Sequence, residues 1–359
     1  MEHGMTDFRI GSHIIGEHRP IYYIADIAAN HDGKLDRAFK LIELAKEAGA
    51  HAAKFQNFIA SKIVSRKGFE SMGNQLEHQA KWKKSVYEVY EDASISQDWT
   101  ARLKEKCDEV GIEYFTSPYD IESVDHVDPL VRAYKIGSGD ITWTGIIEHI
   151  ASKGKPVILA SGASSEEDVV RAMMVLRRYT EEICLMQCNT NYTAQQENFR
   201  FLNLNVLKRF KQIFPGTVLG LSDHTLGHSS VVASIALGAR VIEKHFTDDN
   251  NREGPDHKFA MNPQTWSEMV ERGNEAFLAL GDGIKRVEGN ESKTVLLQRR
   301  SLRYMRDIPA GHILTKDDLF PLRPATEDGI PPYLLDDLIG KEIKIPVYAD
   351  DPAKMEHFK

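Results

Sequence analysis

Cysteine is scarce in this chain. Its three residues, Cys107, Cys184 and Cys188, make an odd count with no C-x-x-C pair, which argues against a disulfide framework or a zinc ribbon and fits a reducing cytoplasm. Long apolar runs are also missing: none approaches the ~20 residues of a membrane span, and Met1 to Pro20 mix Glu, His, Asp and Arg without the apolar centre of a signal peptide. Blocks of like charge are absent. The 45 basic and 53 acidic residues, net charge -8, are dispersed along the chain, which disfavours nucleic acid as the main partner. No G-x-G-x-x-G turn follows the first β-rich run, so an open dinucleotide-binding sheet lacks its fingerprint.

What is present is an alternation. The 359 residues, 42% hydrophobic, suffice for one large domain and a small one. From Ile21 short β-rich runs alternate with helical patterns: Ile21 to Ala28, Ala50 to Phe55, Ile112 to Phe115, Ala133 to Ile136, Pro156 to Ala160, Ile183 to Cys188, Val218 to Leu221 and Arg240 to Ile242. Helical patterns follow, among them Gln97 to Val110 and Pro263 to Leu280, with a polar insertion ahead of the former. Eight such cycles over about 260 residues predict an α/β fold, a (β/α)8 barrel. The predicted boundaries are 1–281 for the barrel, 282–294 for a Gly- and charge-rich linker, and 295–359 for a small β-rich domain.

A barrel of this kind places its chemistry at the carboxyl ends of the strands. Polar residues collect there: Asp26, Lys54, Thr116, Lys135, Ser138, Ser161, Thr190, Tyr192, Ser222, His224, Glu243 and His245. A lysine in an apolar strand is costly unless paired, so Lys54 and Lys135 either meet carboxylates such as Glu243 and Asp26 or hold an anionic ligand, for which the serines and the helix start after Ser161 are also suited. Two histidines on neighbouring strands, His224 and His245, suit a divalent metal with open positions; manganese, iron and zinc remain equal on spacing alone. Asn30-His-Asp-Gly33 reads as an ordinary turn, and Cys184 and Cys188 as core packing.

These residues fall into motifs. Ala25-Asp-Ile-Ala-Ala-Asn-His-Asp-Gly33, Ala53-Lys-Phe-Gln56, Thr116-Ser-Pro118, Tyr134-Lys-Ile-Gly-Ser-Gly139, Gly220-Leu-Ser-Asp-His-Thr225, Glu243-Lys-His-Phe-Thr247 and Gly254-Pro-Asp256 resemble, in order, the motifs of the sialic acid synthases, including the legionaminic and pseudaminic acid synthases. Arg300-Ser-Leu302, Asp307-Ile-Pro-Ala-Gly311 and Leu322-Arg-Pro324 resemble the antifreeze-like SAF domain that ends those enzymes. The resemblance implies condensation of phosphoenolpyruvate with an open-chain N-acylated hexosamine, in a domain-swapped homodimer. It implies a divalent metal on His224 and His245, usually Mn2+, with Mg2+ or Co2+ as alternatives. Lys54, Lys135, Ser138 and Ser161, with Thr116 nearby, match the phosphoenolpyruvate site, while Tyr192, Asp256 and Glu243 match the sugar side and its surroundings. Arg323 matches an arginine that reaches the partner's barrel.

The chain also departs from the family pattern. Asp26 stands where Glu is usual, Asp140 likewise, strand six reads Cys-Asn-Thr-Asn-Tyr-Thr193, and the last turn of the small domain, Asp350-Asp351, lacks the usual glycine. Two other readings stay open: an aldol synthase acting on a phosphorylated aldose, and a non-catalytic sugar-binding homologue, the latter resting on Asp26.

Overall fold

The computed structural model describes residues 7–72, 79, 82 and 84–359. Two compact units divide the chain, Met1–Gly281 and Asp282–Lys359. The first begins with an antiparallel hairpin, β1 (Phe8–Ile10) and β2 (His13–Ile15), which the periodicity did not reveal because each strand has only three residues. Eight parallel strands follow: β3 (Tyr22–Asp26), β4 (Ala52–Asn57), β5 (Glu113–Pro118), β6 (Tyr134–Ile136), β7 (Val157–Ala160), β8 (Ile183–Cys188), β9 (Val218–Asp223) and β10 (Ala239–His245). They are ordered β5-β4-β3-β10-β9-β8-β7-β6. The first strand of the series thus pairs with the last, and β5 packs on β6, so the sheet closes as the barrel the alternation predicts. The final two strands run on past the apolar stretches at Leu221 and Ile242 to include Asp223 and His245.

Period-two alternation sorts each strand into two faces. Tyr23, Ala25, Ala53, Phe55, Tyr114, Tyr134 and Ile136 join the helices in an outer apolar layer. The helices Leu35–Glu47, Gln97–Val110 and Pro263–Leu280 start and stop where residue chemistry allows. Gly111 ends the second at φ +71 in the left-handed region, and Asn262 caps the third through the Thr265 amide with Pro263 at its first position. The inner face has two storeys. Tyr22, Ile24, Ala52, Phe115, Ile158, Met186 and Val241 fill the lower one, and Phe8, Ile10 and Ile15 of the hairpin plug it from beneath. The upper storey, toward the carboxyl ends, is polar.

The insertion between β4 and Gln97–Val110 carries short helices at Ala60–Ile63, Arg66–Ser71 and Val86–Ala93. Among the described residues, no helix is long and apolar enough to cross a membrane.

The second unit opens with the helix Ser292–Gln298, inside the stretch read from composition as linker and running past its predicted end at 294. An antiparallel pair follows, β11 (Ser301–Tyr304) and β12 (Leu319–Leu322). Leu302, Tyr304, Ile308, Leu314, Ile343 and Phe358 form its own core. Asp318 is fully buried and ties Arg306, His312 and Thr315 together, contacts that hold its carboxyl well below the usual range. Asp350, at the position where a glycine is usual, adopts φ +70.

A side chain in the left-handed region costs roughly 1–2 kcal/mol, partly offset by the extra unfolded-state freedom of glycine. Asp350→Gly is therefore expected to stabilise the second unit by about 0.5–1 kcal/mol. Thermal unfolding checks this, and an unchanged or lower midpoint would show that the strain is compensated by the Asp350 side chain.

Candidate active site

Strand register assembles the site. On β10, β3 and β4, His245 lies level with Asp26, and Asp26 level with Lys54. Asp26 Oδ2 consequently sits 2.7 Å from Lys54 Nζ and 3.6 Å from His245 Nε2. One pleat lower on β10, Glu243 pairs with Ser222 on β9 and accepts a 3.2 Å hydrogen bond from its hydroxyl. Glu243 also lies 3.4 Å from Lys135 and 3.8 Å from Lys54. Two ammonium groups and two carboxylates thus balance each other in a buried cluster, with Asp26, Lys54, Lys135 and Glu243 each at most 4% exposed.

Burial and pairing pull these groups in different directions. Burial works against the Glu243 carboxylate, but Lys135 and Lys54 outweigh it and hold the group down at about 2. For Asp26 burial wins over the attraction of Lys54, and Glu243 pushes further, so its carboxyl rises above the usual range. Lys54 stays charged because Asp26 and Glu243 more than offset its burial. Among the described residues, Asp26 Oδ1 and Glu243 Oε2 have no hydrogen-bond partner although both are buried.

The histidines stand beside this cluster with ring centroids 5.3 Å apart. His224 Nδ1 lies 2.8 Å from the Asn189 carbonyl; a carbonyl only accepts, so Nδ1 carries the proton and Nε2 keeps a lone pair. Burial, reinforced for His224 by His245, lowers both imidazoles to about 4 and leaves them neutral at physiological pH. Buried His245 Nδ1 lacks a hydrogen-bond partner among the described residues, with Asp256 3.8 Å away. Two neutral imidazoles, one with a buried unpartnered nitrogen, fit a divalent ion that takes its other ligands from water or substrate oxygen. No group of three or more His, Cys, Asp or Glu is arranged to hold a metal among the described residues.

These groups line a cavity of roughly 400 Å3 at the carboxyl ends of the strands, together with Ser138, Thr190, Tyr192, Ser222 and Asp256. Tyr192 packs edge-on against His224, ring centroids 4.4 Å apart. Two predicted residues of the barrel lie outside the cavity lining. Thr116 occupies the outer face of β5, where its hydroxyl donates to Asn57 Oδ1 and the Phe55 carbonyl; alternation brings its neighbour Ser117 to the cavity instead. Ser161 spends its hydroxyl on the Met186 carbonyl. Arg323 belongs to the second unit, where its Nε donates to the Gln298 carbonyl at 2.6 Å.

Other lining residues went unnoticed in the sequence. Phe58, Ile63, Trp82, Val89 and Tyr90 come from the insertion read as merely polar; its aromatic residues were the available signal. Cys188, read as core packing, reaches the cavity, whereas Cys184 is core. The Asn30 to Gly33 turn is more than a turn. Asp32, at φ +51, meets Arg37 at 3.0 Å, Arg252 at 3.0 Å and His257 at 2.9 Å. That knot fastens the segment carrying Asp256 to the start of the barrel.

Asp140 also lines the cavity, and burial alone lifts its carboxyl to about 6. A carboxyl raised on folding binds protons more tightly in the native state, so its contribution is fully present below the unfolded value and is lost as pH climbs through about 6. Asp140→Asn is expected to raise the melting temperature near pH 7.5 and to leave it unchanged near about pH 4. An equal shift at both pH values in a thermal scan would assign the effect to something other than this carboxyl.

Comparison with known proteins gives the family. Residues 41–285 match the NeuB family and residues 299–359 the SAF domain. The N,N'-diacetyllegionaminic acid synthase of Legionella pneumophila is 33% identical over 96% of both chains. The human N-acetylneuraminate-9-phosphate synthase is 31% identical over 95% of this chain and 94% of its own. Among solved structures, the spore coat polysaccharide biosynthesis protein SpsE of Bacillus subtilis superposes with a TM-score of 0.65 at 28% identity, covering 99% of both chains. With a NeuB match over most of its length, a SAF match at its end and these relatives above 30% identity, the chain belongs to the NeuB family of sialic-acid-type synthases.

Proposed function

We propose that this enzyme condenses phosphoenolpyruvate with the open-chain aldehyde of an N-acylated hexosamine, using a divalent metal and water, to give a nonulosonic acid and phosphate. The observation that carries this reading is the convergence of Lys54, Lys135, Asp26 and Glu243 beside a pair of neutral histidines in one cavity. Lys54 and Lys135 suit the carboxylate and phosphate of phosphoenolpyruvate, whose arrival would loosen both from their carboxylate partners. Ser138 and Ser117 add hydroxyl groups to the lining of the same cavity.

The C2=C3 π bond of phosphoenolpyruvate breaks as C3 bonds to the aldehyde carbon, the aldehyde oxygen takes a proton from solvent, and C2 is left positively charged. Glu243, kept ionised by the lysines, stabilises that charge. Water then adds to C2 and loses a proton. Asp26 is suited to receive it, since its carboxyl is raised and Oδ1 is unpartnered. The C2–O bond to phosphate breaks with its electrons leaving on phosphate, the C2 hydroxyl gives its proton to the departing phosphate, and C2 becomes the keto carbon. His224 and His245 would hold Mn2+, Mg2+ or Co2+, which when bound supplies Lewis acidity for the aldehyde and a template for water. Tyr192, Thr190 and Asp256 face the sugar. We assign Arg323 of a second copy, in a domain-swapped dimer, to the N-acyl group, and the cytoplasm as the place of action.

Incubating the full chain with Mn2+, phosphoenolpyruvate and a panel of mono- and diacetylated hexosamines, one of them phosphorylated, should release phosphate with one sugar or a few. Bridging-oxygen-labelled phosphoenolpyruvate should pass its label to phosphate, as C–O cleavage requires. His245→Ala should lower kcat/KM by about 10²-fold or more and abolish Mn2+ binding. Failure of every sugar in the panel to release phosphate would sink the proposal, and preference for the phosphorylated sugar would favour a sugar-phosphate synthase.

A further inference from the structure

Behind the two histidines, on the sheet face turned away from the cavity, lies an ion pair that the chemistry above does not use. Lys244 Nζ stands 2.5 Å from Asp223 Oδ2, with the side chains 1% and 0% exposed. Such a pair contributes little net stability, because desolvating two charges costs about as much as their attraction returns, and an aliphatic pair serves a strand–helix interface at least as well. Its retention here has a local explanation in what it touches.

Asp223 immediately precedes His224, and Lys244 immediately precedes His245. The two are directly opposite in the β9–β10 ladder. Asp223 Oδ1 accepts from the Thr225 amide at 3.0 Å and from the Thr225 hydroxyl at 2.9 Å, and Oδ2 accepts from Ser230 at 2.5 Å. Lys244 donates a second bond, 2.6 Å, to the Thr225 carbonyl. The backbone on both sides of His224 is therefore gripped from behind by a group anchored one residue before His245. The imidazole ring itself is fixed in front by the Asn189 carbonyl.

We propose that the Asp223–Lys244 ion pair is a positioning device that sets the separation and orientation of the His224 and His245 rings, and so the affinity of the site for a divalent metal. The proposal rests on the metal reading given above. Asp223 and Lys244 are positioning residues: alternation turns both away from the reacting groups. A purely structural role would show itself in the melting temperature and leave the metal affinity of the folded protein unchanged.

The test uses the full chain and Mn2+ alone, with free Mn2+ counted by electron paramagnetic resonance in the absence of substrates. Asp223→Asn combined with Lys244→Met removes both charges while keeping an acceptor for Thr225. This double variant is expected to unfold cooperatively within a few degrees of the parent and to bind Mn2+ about tenfold or more weakly. Lys244→Arg, which keeps the charge but not the shape of the contact, is expected to lie between the two. A folded double variant or Lys244→Arg protein whose Mn2+ affinity is within twofold of the parent overturns the proposal. Loss of folding in the double variant together with unchanged affinity in Lys244→Arg also overturns it, because the pair would then hold the fold and not the site. The parent and His224→Ala separate the two layers: a parent that binds no Mn2+, or a His224→Ala variant that binds it undiminished, removes the metal reading itself and this proposal with it.

Discussion

Two lysines and two carboxylates share the polar upper storey of a barrel whose lower storey is apolar and plugged from below, and the rest of the site depends on their balance. Burial works against the Lys54 ammonium, and its carboxylate neighbours more than offset that cost. Glu243 answers both lysines, and Asp26 answers Lys54. The pairing leaves Asp26 Oδ1 and Glu243 Oε2 without partners. A neutral cluster with loose acceptors can take in an anionic ligand and a proton with little rearrangement. That is electrostatic preorganisation built before any substrate arrives.

Register makes the balance possible. A shift of one residue along β3 would turn Asp26 out among the helices and bring Ala25 to the cavity, because side chains alternate. The apolar lower storey guards against that slip: Tyr22 and Ile24 sit inside with Phe8, Ile10 and Ile15 of the hairpin, while Tyr23 and Ala25 sit in the outer layer. Packing at the amino ends of the strands thus fixes the height and facing of the chemistry at their carboxyl ends. The hairpin, far from the reacting groups, belongs to the same argument.

Much of this was legible in the sequence because period and placement carry it. Short apolar runs separated by amphipathic helices gave the barrel, and polar residues at the ends of those runs gave most of the cavity. The failures have physical reasons. Thr116 and Ser117 are adjacent at a strand end, and deciding which one faces inward needs the phase of the alternation, which a four-residue run does not supply; the Asn57 amide then claims the Thr116 hydroxyl. The hairpin strands are too short to show a period. Phe58, Trp82 and Tyr90 lie in an irregular insertion whose fold against the cavity depends on tertiary contact. Asp32 has the composition of a turn residue and becomes the hub of three ion pairs only because Arg252 and His257, more than two hundred residues later, return to it.

Asp26 shows why such a substitution has to be judged in place. From sequence it is a shortened acid where a longer one is usual, the one feature favouring an inactive homologue. In the barrel its Cα lies level with those of both Lys54 and His245, so the short arm still brings Oδ2 to 2.7 Å from the lysine while standing 3.6 Å from the imidazole. A side chain one methylene longer on the same Cα would carry the carboxylate further into the cavity, closer to the space a reacting carbon must enter. Shortening it keeps the contact with Lys54 and leaves that space to the substrate. The departure from the family pattern is therefore a change in the shape of the cavity beside Lys54, with the ionic pairing of Asp26 and Lys54 still in place.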